Sequence, residues 1–453
     1  MKAKHSERKS NRVWLWSSVT VCMGLICVLA VLMLNGTFKV QNDYQISSNK
    51  SDMVSVSDKT DSSVPVELPE PVKVSSATIL STGDIMVHDP QLSGAKVPGK
   101  QEWDFGAFFK EVEPYFKRAD FSVANLETTF AGNKNYPYAG YPLFNTPDSL
   151  IDAIKESGLS MVLTANNHCY DTGTNGLKRT QKILKKKGVP YIGTRLTEDA
   201  PVYTVQEING IRIGITAYTY ETGRPKGLKT INGIPVKEKD NKLINSFSYD
   251  LLDEFYTEVE TIMSAMKTDG AEANIFYIHW GDEYKTTENS WQNKIAQALC
   301  DRGVDVIVGG HPHVIQPLEM LTSEDGTHQT VCIYSLGNAV SNQRVERMDS
   351  CPSGHTEDGL LFYCTFDKYS DGKVILSDID LIPTWVDMYR GGSGYQYTIC
   401  PLENADYGVE KYGFTGVAAT KSKKSYKRTV KIVAEGLTAC QETIGCQVTF
   451  PKN

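Results

Sequence analysis

The sequence predicts an α/β protein whose helices and sheets form four layers, α-β-β-α, preceded by one transmembrane helix. Short runs of β-branched and apolar residues end in polar residues at five places between residues 77 and 313. Helix-period segments separate these runs, and that alternation is typical of α/β folds. One uncharged, mainly apolar stretch lies near the N-terminus.

The N-terminal stretch predicts a membrane anchor. Residues 13–34 are 22 residues without a charge, long enough to cross a bilayer as a helix. Residues 1–12 carry five Lys or Arg and one Glu, so this flank is expected in the cytoplasm and the main domain outside the cell. The alternative is a cleaved signal peptide, but its apolar region is usually shorter. We therefore expect a single-pass protein of the cell membrane.

Composition divides the rest of the chain into three parts. Residues 35–76 are rich in Ser, Asp, Lys, Val and Pro and predict a flexible linker. Residues 77–385 predict the main domain. Residues 386–453 form a C-terminal extension of unknown role, with a possible helix at 425–440.

Five strand-like runs lead into loop or helix signals. They cover 77–80, 121–124, 161–164, 274–278 and 304–308, and helix-period segments fall at about 105–118, 147–157, 174–187, 249–267 and 289–302. In α/β sheets, ligands gather beyond the carboxyl ends of the strands. The polar residues that follow these runs are therefore the candidate site.

Two hairpin signals interrupt the alternation. Asn209-Gly210 separates 201–207 from 211–220, and Asp371-Gly372 separates 360–366 from 373–381. Both dipeptides favour the positive φ of tight hairpin turns. Together with the run 330–335, the second hairpin predicts that a second, more antiparallel sheet packs on the first.

Charge and cysteine content limit the possible partners. The net charge of −7 argues against non-specific nucleic-acid binding, which requires a basic face. Eight of the ten cysteines follow the predicted anchor, in a compartment that permits disulfides. Cys440 and Cys446 are the preferred pair, whereas Cys332 and Cys364 are either cross-strand neighbours or buried thiols.

The residues after the strand-like runs predict a metal site. His311 and His313 stand two apart, and on an extended backbone their rings project to the same side. Mixed oxygen and nitrogen ligands suit Zn, Mn or Fe. One or two divalent ions are expected; in the two-ion arrangement Glu127 bridges them and each imidazole serves one ion. The candidate ligands are Asp84, Glu127, Asn167, His279, His311 and His313.

Two further residues are candidates for catalysis. His168 follows Asn167 but is expected to point away from it, where it could stabilise or protonate a leaving oxygen. Asp171 could orient that imidazole or cap the following turn.

Four residues are candidates for substrate contact: Trp280, Glu283, Tyr284 and Asn145. Trp280 and Tyr284 fit packing at the rim of the pocket equally well. Glu283 could instead lie at a helix N-terminus, and Asn145 belongs to a Tyr-rich loop expected to cover the site.

Six motifs follow one another along roughly 77–345: Gly83-Asp84, Asn125-Leu126-Glu127, Ala165-Asn166-Asn167-His168 with Asp171, His279-Trp280-Gly281-Asp282-Glu283-Tyr284, Gly310-His311-Pro312-His313 and Tyr334-Ser335-Leu336-Gly337-Asn338. This ordered set resembles the calcineurin-like metallophosphoesterase superfamily. Within it, the set is similar to the bacterial capsule-synthesis (poly-γ-glutamate biosynthesis) proteins of the CapA/PgsA family. The resemblance implies a four-layer sandwich of metallophosphoesterase type.

The resemblance also has departures. The superfamily has a His where this chain has Met86 and an Asp where it has Glu127, and CapA-like proteins share both changes. One metal subsite, the one that His313 is expected to share with Asp84, is therefore expected to be thinly ligated. His88 is a candidate substitute ligand or an exposed loop histidine.

Three functions follow as expectations. The resemblance implies capsule or poly-γ-glutamate biosynthesis or export by a membrane-anchored extracellular protein. The metal ligands by themselves suggest an extracellular metal-dependent phosphatase or phosphodiesterase. A non-catalytic subunit of a membrane polymer synthase is the third possibility. Expected partners are the membrane, polymer-synthase subunits and an anionic polymer or phosphate ester, with no nucleic acid.

Overall fold

The computed structural model describes residues 70–449. The predicted anchor at 13–34, its flank and most of the predicted linker lie outside the described residues. Within the described range, no helix combines the length and the apolar character needed to cross a membrane. The strand that opens the fold starts at Lys73, so residues 73–76 belong to the sheet and the predicted linker is shorter at its C-terminal end.

Strands and helices alternate through most of the chain. The strands are β1 (Lys73–Ile85), β2 (Phe121–Leu126), β3 (Met161–Leu163), β4 (Tyr191–Ile192), β5 (Tyr203–Ile208), β6 (Ile211–Tyr220), β7 (Thr230–Ile231), β8 (Ile234–Pro235), β9 (Ser246–Phe247), β10 (Ala273–His279), β11 (Val306–Gly310), β12 (Leu318–Thr322), β13 (Gln329–Ile333), β14 (Asn338–Val340), β15 (Asp358–Tyr369), β16 (Val374–Gly391) and β17 (Gly394–Pro401).

The α-helices are α1 (Asp89–Ala95), α2 (Gly106–Phe109), α3 (Glu113–Arg118), α4 (Ser149–Glu156), α5 (Gly173–Lys187), α6 (Leu252–Thr268), α7 (Ser290–Cys300), α8 (Tyr407–Tyr412) and α9 (Gly416–Ile444). The predicted helix at 105–118 is two helices. Pro114 is the second residue of α3, where its missing N–H costs nothing, whereas inside one continuous helix it would remove a hydrogen bond.

Two mixed sheets form the centre of the protein. The first has the order β17-β16-β15-β1-β2-β3-β4, with β14 beside β1; β1 to β4 are parallel, and β15 to β17 are antiparallel. The second has the order β12-β13-β11-β10-β6-β5, with β9 beside β6; its four inner strands are parallel, and β5 and β12 are antiparallel edges.

Both predicted hairpins form, but in different sheets. β5–β6 turns at Asn209-Gly210 in the second sheet, and β15–β16 turns at residues 370–372 in the first. The predicted strand at 330–335 is β13, which pairs parallel with β11 in the second sheet. The prediction that the second hairpin and 330–335 belong to a second, more antiparallel sheet was wrong, because β15 pairs with β1 in the first sheet and β13 pairs in parallel with β11 in the second.

Apolar side chains fill three spaces between four layers. Alternate residues of a strand point to opposite faces, so Ile79 of β1 faces the second sheet while Leu80 faces α1 to α4. In β10, Ile275 faces the first sheet and Phe276 faces α6 and α7. Strands buried on both faces read as continuous apolar runs. The predicted α-β-β-α order of layers is therefore present.

The C-terminal region belongs to the same fold. β16 passes through residue 385, so the predicted domain boundary lies inside a strand, and β17 extends the first sheet. The long helix α9, predicted only at 425–440, packs against β16 and β12. A Cβ at Gly436 would lie 1.8 Å from the Leu318 carbonyl oxygen, so glycine is required for this close approach.

All eight cysteines of the described residues are free. Cys440 lies in the core between the sheets while Cys446 is partly exposed beyond the end of α9, so the predicted disulfide between them is absent. Cys332 and Cys364 lie in different sheets, which leaves the second alternative: both are buried thiols.

Ionic contacts hold α9 to the start of β15. Arg428 donates to both carboxylate oxygens of Asp358, with 2.6 Å between Nη2 and Oδ1. Ser425 Oγ donates to the same Oδ1 at 2.6 Å. Asp358 is buried, and burial raises its pKa to about 6 against the lowering effect of Arg428.

Replacing this arginine should destabilise the protein in a pH-dependent way. Arg428→Ala leaves a buried carboxylate unpaired, so we expect the free energy of unfolding to fall by about 3 kcal/mol at pH 8. Because burial has raised the pKa of Asp358, the group is protonated at pH 5, and the loss should be smaller there. Urea unfolding at both pH values measures the effect.

Lys423→Ala is the matched control, because Lys423 pairs with Asp406 on the exposed side of the same helix. Its unfolding midpoint should equal that of the wild type. An equal loss at pH 5 and pH 8 for Arg428→Ala would show that packing, not charge, holds α9.

Candidate metal centre

The candidate site lies where the parallel strands of the two sheets end. Asp84 is the penultimate residue of β1, Glu127 follows β2 directly, and His279 is the last residue of β10. These strands run in parallel within their own sheets, so their carboxyl ends bring the side chains together. Asn167 follows β3, and His311 and His313 follow β11. All six predicted ligands are buried.

Glu127 Oε1 is the point on which the imidazoles converge. The Nε2 atoms of His279, His313 and His168 lie 3.6, 3.9 and 4.0 Å from it. This oxygen is buried and accepts no hydrogen bond from the described residues. A buried carboxylate oxygen without a donor is costly unless a cation balances it. The donor set therefore fits a divalent metal.

Three overlapping groups of side chains could hold an ion, and two of them share Glu127; the third consists of Glu283, His311 and His313. Asp84, Glu127 and His313 form the first, and Glu127, His279 and His311 form the second; within each group the ligand atoms lie within 4.8 Å of one another. Glu127 is common to these two, which is the place that the sequence predicted for a bridging carboxylate. A bound divalent ion would supply positive charge to polarise a phosphoryl group and to favour ionisation of a water.

Amide side chains orient the first group. Asn125 Nδ2 donates to Asp84 Oδ1 at 2.7 Å, and Asn166 Nδ2 donates to Asn125 Oδ1 at 3.0 Å. On the other side, His313 Nδ1 lies 3.2 Å from both Asp84 Oδ2 and Asn338 Oδ1. If Nδ1 carries the proton, Nε2 keeps its lone pair toward Glu127, as a metal ligand requires.

The second group is oriented by Asn167 and packed aromatic rings. His279 Nε2 lies 2.9 Å from Asn167 Oδ1. The His311 ring lies 4.8 Å from the rings of both His279 and Tyr220, between centroids. His311 Nδ1 is buried and has no hydrogen-bond partner within residues 70–449. This nitrogen is thus another unpaired ligand atom in the centre.

Burial and repulsion from neighbouring histidines disfavour the charged forms of His279 and His311. Burial lowers the pKa of His279 and His311 well below the usual range, and neighbouring histidines lower it further. Burial raises the pKa of Glu127 well above its usual range, and the charges of Asp84 and Glu283 add to this. Metal binding needs neutral imidazoles and an ionised carboxylate, so a cation would reverse the shift at Glu127.

His168 and Asp171 form a hydrogen-bonded pair beside these ligands. His168 Nδ1 and Asp171 Oδ2 are 2.7 Å apart, and Asp171 Oδ2 also accepts the Phe144 N–H at 2.7 Å. The Phe144 ring packs edge-on against the imidazole, with 4.6 Å between centroids. His168 Nε2 consequently faces the centre, where it could hold or donate a proton.

The chain matches the family "Bacterial capsule synthesis protein PGA_cap" over residues 78–343. The chain belongs to this family. The match spans β1 to just beyond β14 and includes every residue of the two candidate metal groups.

Two capsule-related proteins of Bacillus species are similar to the chain. The PGA biosynthesis protein CapA of Bacillus subtilis is 28% identical over 279 residues, which are 61% of this chain and 65% of that protein. The capsule biosynthesis protein CapA of Bacillus anthracis is 31% identical over 241 residues, which are 52% of this chain and 54% of that protein. The chain thus spans between half and two thirds of the length of these relatives.

Solved structures with some likeness are the calcineurin-like phosphoesterase YfkN of Bacillus subtilis and TT1561 of Thermus thermophilus. The first has a TM-score of 0.37 and 15% identity, over 79% of this chain and 98% of that chain. The second has a TM-score of 0.31 and 10% identity, over 63% of this chain and 93% of that chain.

The motif Gly310-His311-Pro312-His313 forms a strained turn, here called the GHPH turn. It is not the extended strand that the sequence predicts. β11 ends at Gly310, and His311 and His313 have φ of 96° and 56°. Such left-handed backbone costs on the order of 1–3 kcal/mol per residue, and it occurs mainly where function requires it. The turn, not the alternation of a strand, brings both rings to the centre.

The predicted substrate contacts lie in different surroundings. Glu283 is exposed and Tyr284 half-buried at the solvent side of the centre. Trp280 is fully buried, its Nε1 donates to the Tyr334 carbonyl at 2.9 Å, and it packs in the core against α7; it is not available to a substrate.

Asn145 is likewise used by the protein itself. It is buried, accepts the Ala131 N–H at 2.8 Å and donates to the carbonyls of Gly132 and Pro137 at 3.0 and 2.9 Å. All of its polar atoms are engaged in shaping the Tyr-rich loop, so the predicted contact with substrate is not supported.

His88 was predicted to be either a substitute ligand or an exposed loop histidine, and the structure supports neither role. It is a partly buried residue at the start of α1, and its Nδ1 lies within 3.2 Å of Gln91 Oε1 and 3.3 Å of the Asn342 N–H. Burial lowers its pKa to about 4. It belongs to none of the three ligand groups found among the described residues.

Sequence reasoning did not assign roles to Asn125, Asn338 and Asn232. Asn125 and Asn338 belong to two of the six sequence motifs, but the motifs do not predict which atoms these side chains contact. Asn232 lies in the β7–β8 turn, and its Nδ2 lies 3.4 Å from His168 Nδ1. No sequence signal linked that turn to the centre, because 64 residues separate the two side chains.

Removing the charge of Glu127 should stabilise the metal-free protein and abolish its stabilisation by added metal. In chelator at pH 8, Glu127→Gln should raise the free energy of unfolding by about 1–3 kcal/mol, because a buried charge whose Oε1 has no hydrogen-bond donor is lost. The pKa of Glu127 is raised in the folded protein, so ionising it destabilises the wild type as pH rises above the usual value of 4.5. The difference should therefore shrink toward pH 4.5.

Chemical denaturation across this pH range is the measurement, and the same variant should gain no stability from added Mn²⁺ or Zn²⁺. A variant less stable than wild type in chelator would show that Glu127 is paired in solution.

Proposed function

We propose that this chain is a membrane-anchored extracellular protein of capsule or poly-γ-glutamate biosynthesis or export, with a divalent metal centre of one or two ions. Membership of the capsule synthesis family supports the pathway. The sequence of residues 13–34 is the basis for the anchor and for the location outside the cell. Polymer-synthase subunits in the membrane are proposed as partners.

One observation carries the metal centre: the buried, unpaired Glu127 Oε1 with three imidazole nitrogens within 4.0 Å. Such a cluster is costly without a cation, and this cost supports the proposal that a cation binds there. Nitrogen and oxygen ligands favour Zn, Mn or Fe over Ca or Mg.

A His311→Ala/His313→Ala double variant tests the proposal. In a bacterium whose own copy is deleted, the wild-type gene should restore surface polymer and the double variant should not. Elemental analysis of the purified full-length proteins should find one or two metal equivalents in the wild type and a loss of at least one in the variant.

His328→Ala is the control, since His328 lies at the opposite end of β11, 2.9 Å from the Val304 carbonyl oxygen. It should keep both polymer and metal. Metal-free wild-type protein would refute the centre. A double variant that still restores polymer would favour the non-catalytic subunit instead.

The His168–Asp171 pair favours a second candidate, an extracellular metal-dependent phosphatase or phosphodiesterase. The Nε2 atom of His168 faces the centre, where it could protonate a leaving oxygen. This activity and polymer biosynthesis are compatible, because the proposed phosphate ester or anionic polymer would bind at the same place.

Asp171→Asn should lower turnover of an aryl phosphodiester about 100-fold while leaving the metal content unchanged. The reason is that Asp171 holds His168 in orientation but lies in none of the ligand groups. Turnover at fixed Mn²⁺ and elemental analysis are measured on the same sample. Unchanged turnover would exclude this pair from catalysis, and lost metal would make Asp171 a structural support of the centre.

A further inference from the structure

Glu283 lies within ligand distance of the centre. Its carboxylate and one ring nitrogen each of His311 and His313 lie within 4.8 Å of one another. His311 also belongs to the group with His279, and His313 to the group with Asp84. Glu283 is thus placed between the two proposed subsites.

The loop that carries Glu283 is fixed beside the GHPH turn. Trp280 N donates to the Gly310 carbonyl at 3.1 Å, and Tyr284 N donates to the Pro312 carbonyl at 2.8 Å. Tyr284 adopts a φ of 65°, a left-handed conformation that a tyrosine rarely takes. Two backbone hydrogen bonds and a strained residue therefore hold Glu283 in place.

The two glutamates differ in exposure. Glu127 is 0% exposed at the inner side of the centre, whereas Glu283 is exposed to solvent at the outer side. Solvent molecules cannot reach a buried ligand to replace it on a metal. Water or a dissolved anion can replace an exposed ligand.

We propose that Glu283 is a metal ligand that closes the solvent side of the centre, and that an anionic substrate displaces it on binding. The proposal rests on the metal centre proposed above and assigns it a further ligand, besides the five residues of the two groups that share Glu127. Glu283 supplies a carboxylate to a centre whose subsite at His313 has only Asp84 and Glu127 besides, and it occupies the side from which an oxyanion must enter.

Charge supports displacement by an anion. Asp84, Glu127 and Glu283 bring three carboxylates together, and within residues 70–449 no Lys or Arg forms an ion pair with any of them. The three carboxylates repel an oxyanion, so only bound metal can attract one, and the oxyanion then competes directly with the carboxylate of Glu283 for that metal.

Metal titration of full-length Glu283→Gln tests the ligand role. Glu283 is exposed, so the variant should fold as the wild type does. We expect the Mn²⁺ dissociation constant of at least one site to rise more than about tenfold, because loss of an outer partner alone costs that much. Asp282→Asn is the matched control: the neighbouring exposed carboxylate accepts from Asn289 Nδ2 at 2.8 Å and belongs to no ligand group.

Inorganic phosphate tests the displacement. At saturating Mn²⁺, calorimetry should show that Glu283→Gln binds phosphate several-fold more tightly than the wild type and Asp282→Asn do. Unchanged Mn²⁺ affinity in Glu283→Gln, or an equal loss in both variants, would overturn the ligand role. Unchanged or weaker phosphate binding would overturn the displacement. Wild-type protein that binds no Mn²⁺ or Zn²⁺ would instead refute the metal centre itself.

Discussion

The buried carboxylate of Glu127 is the constraint to which the rest of the centre is fitted. Its Oε1 has no hydrogen-bond donor among the described residues, yet three imidazoles approach within 4.0 Å. Such an oxygen is unfavourable in a metal-free protein and favourable beside a cation. His279 and His311 also suit a bound cation. Burial disfavours their charged forms, and a neutral imidazole keeps a lone pair for a metal. Stability and function are therefore opposed here.

The packing of the two sheets holds these energetically unfavourable side chains in place. Within the first sheet, β1 and the segment that leads into β14 are closely fitted, since a Cβ at Gly83 would lie 1.9 Å from the Gly337 carbonyl oxygen, beside the irregular register that presents Asp84. The left-handed turn at His311 and His313 stores further strain. Hydrogen bonds from neighbouring segments hold this arrangement, and Asn338 contributes through both its contact to His313 and its bond to the Thr356 carbonyl at 3.0 Å.

The C-terminal segment supports the centre from a distance. Arg428 of α9 pairs with Asp358 and donates to the Gly354 carbonyl at 2.7 Å, and these residues flank Thr356. Thr356 in turn accepts from Asn338. A chain of contacts therefore leads from α9 to His313. No sequence pattern predicts this chain of contacts, because Arg428 and Asp358 lie 70 positions apart.

The sequence by itself determined the strand ends and the residues that meet there as candidate ligands. Runs of mainly apolar and β-branched residues lead to Asp84, Glu127 and His279 and indicate buried strands, and parallel strands of one sheet end at the same edge. Tertiary structure decided which sheet each strand joins, that the helix α9 completes the fold, that Trp280 and Asn145 serve packing, and that Glu283 reaches the ligands. These features depend on contacts between residues far apart in the chain, and local periodicity contains no information about such contacts.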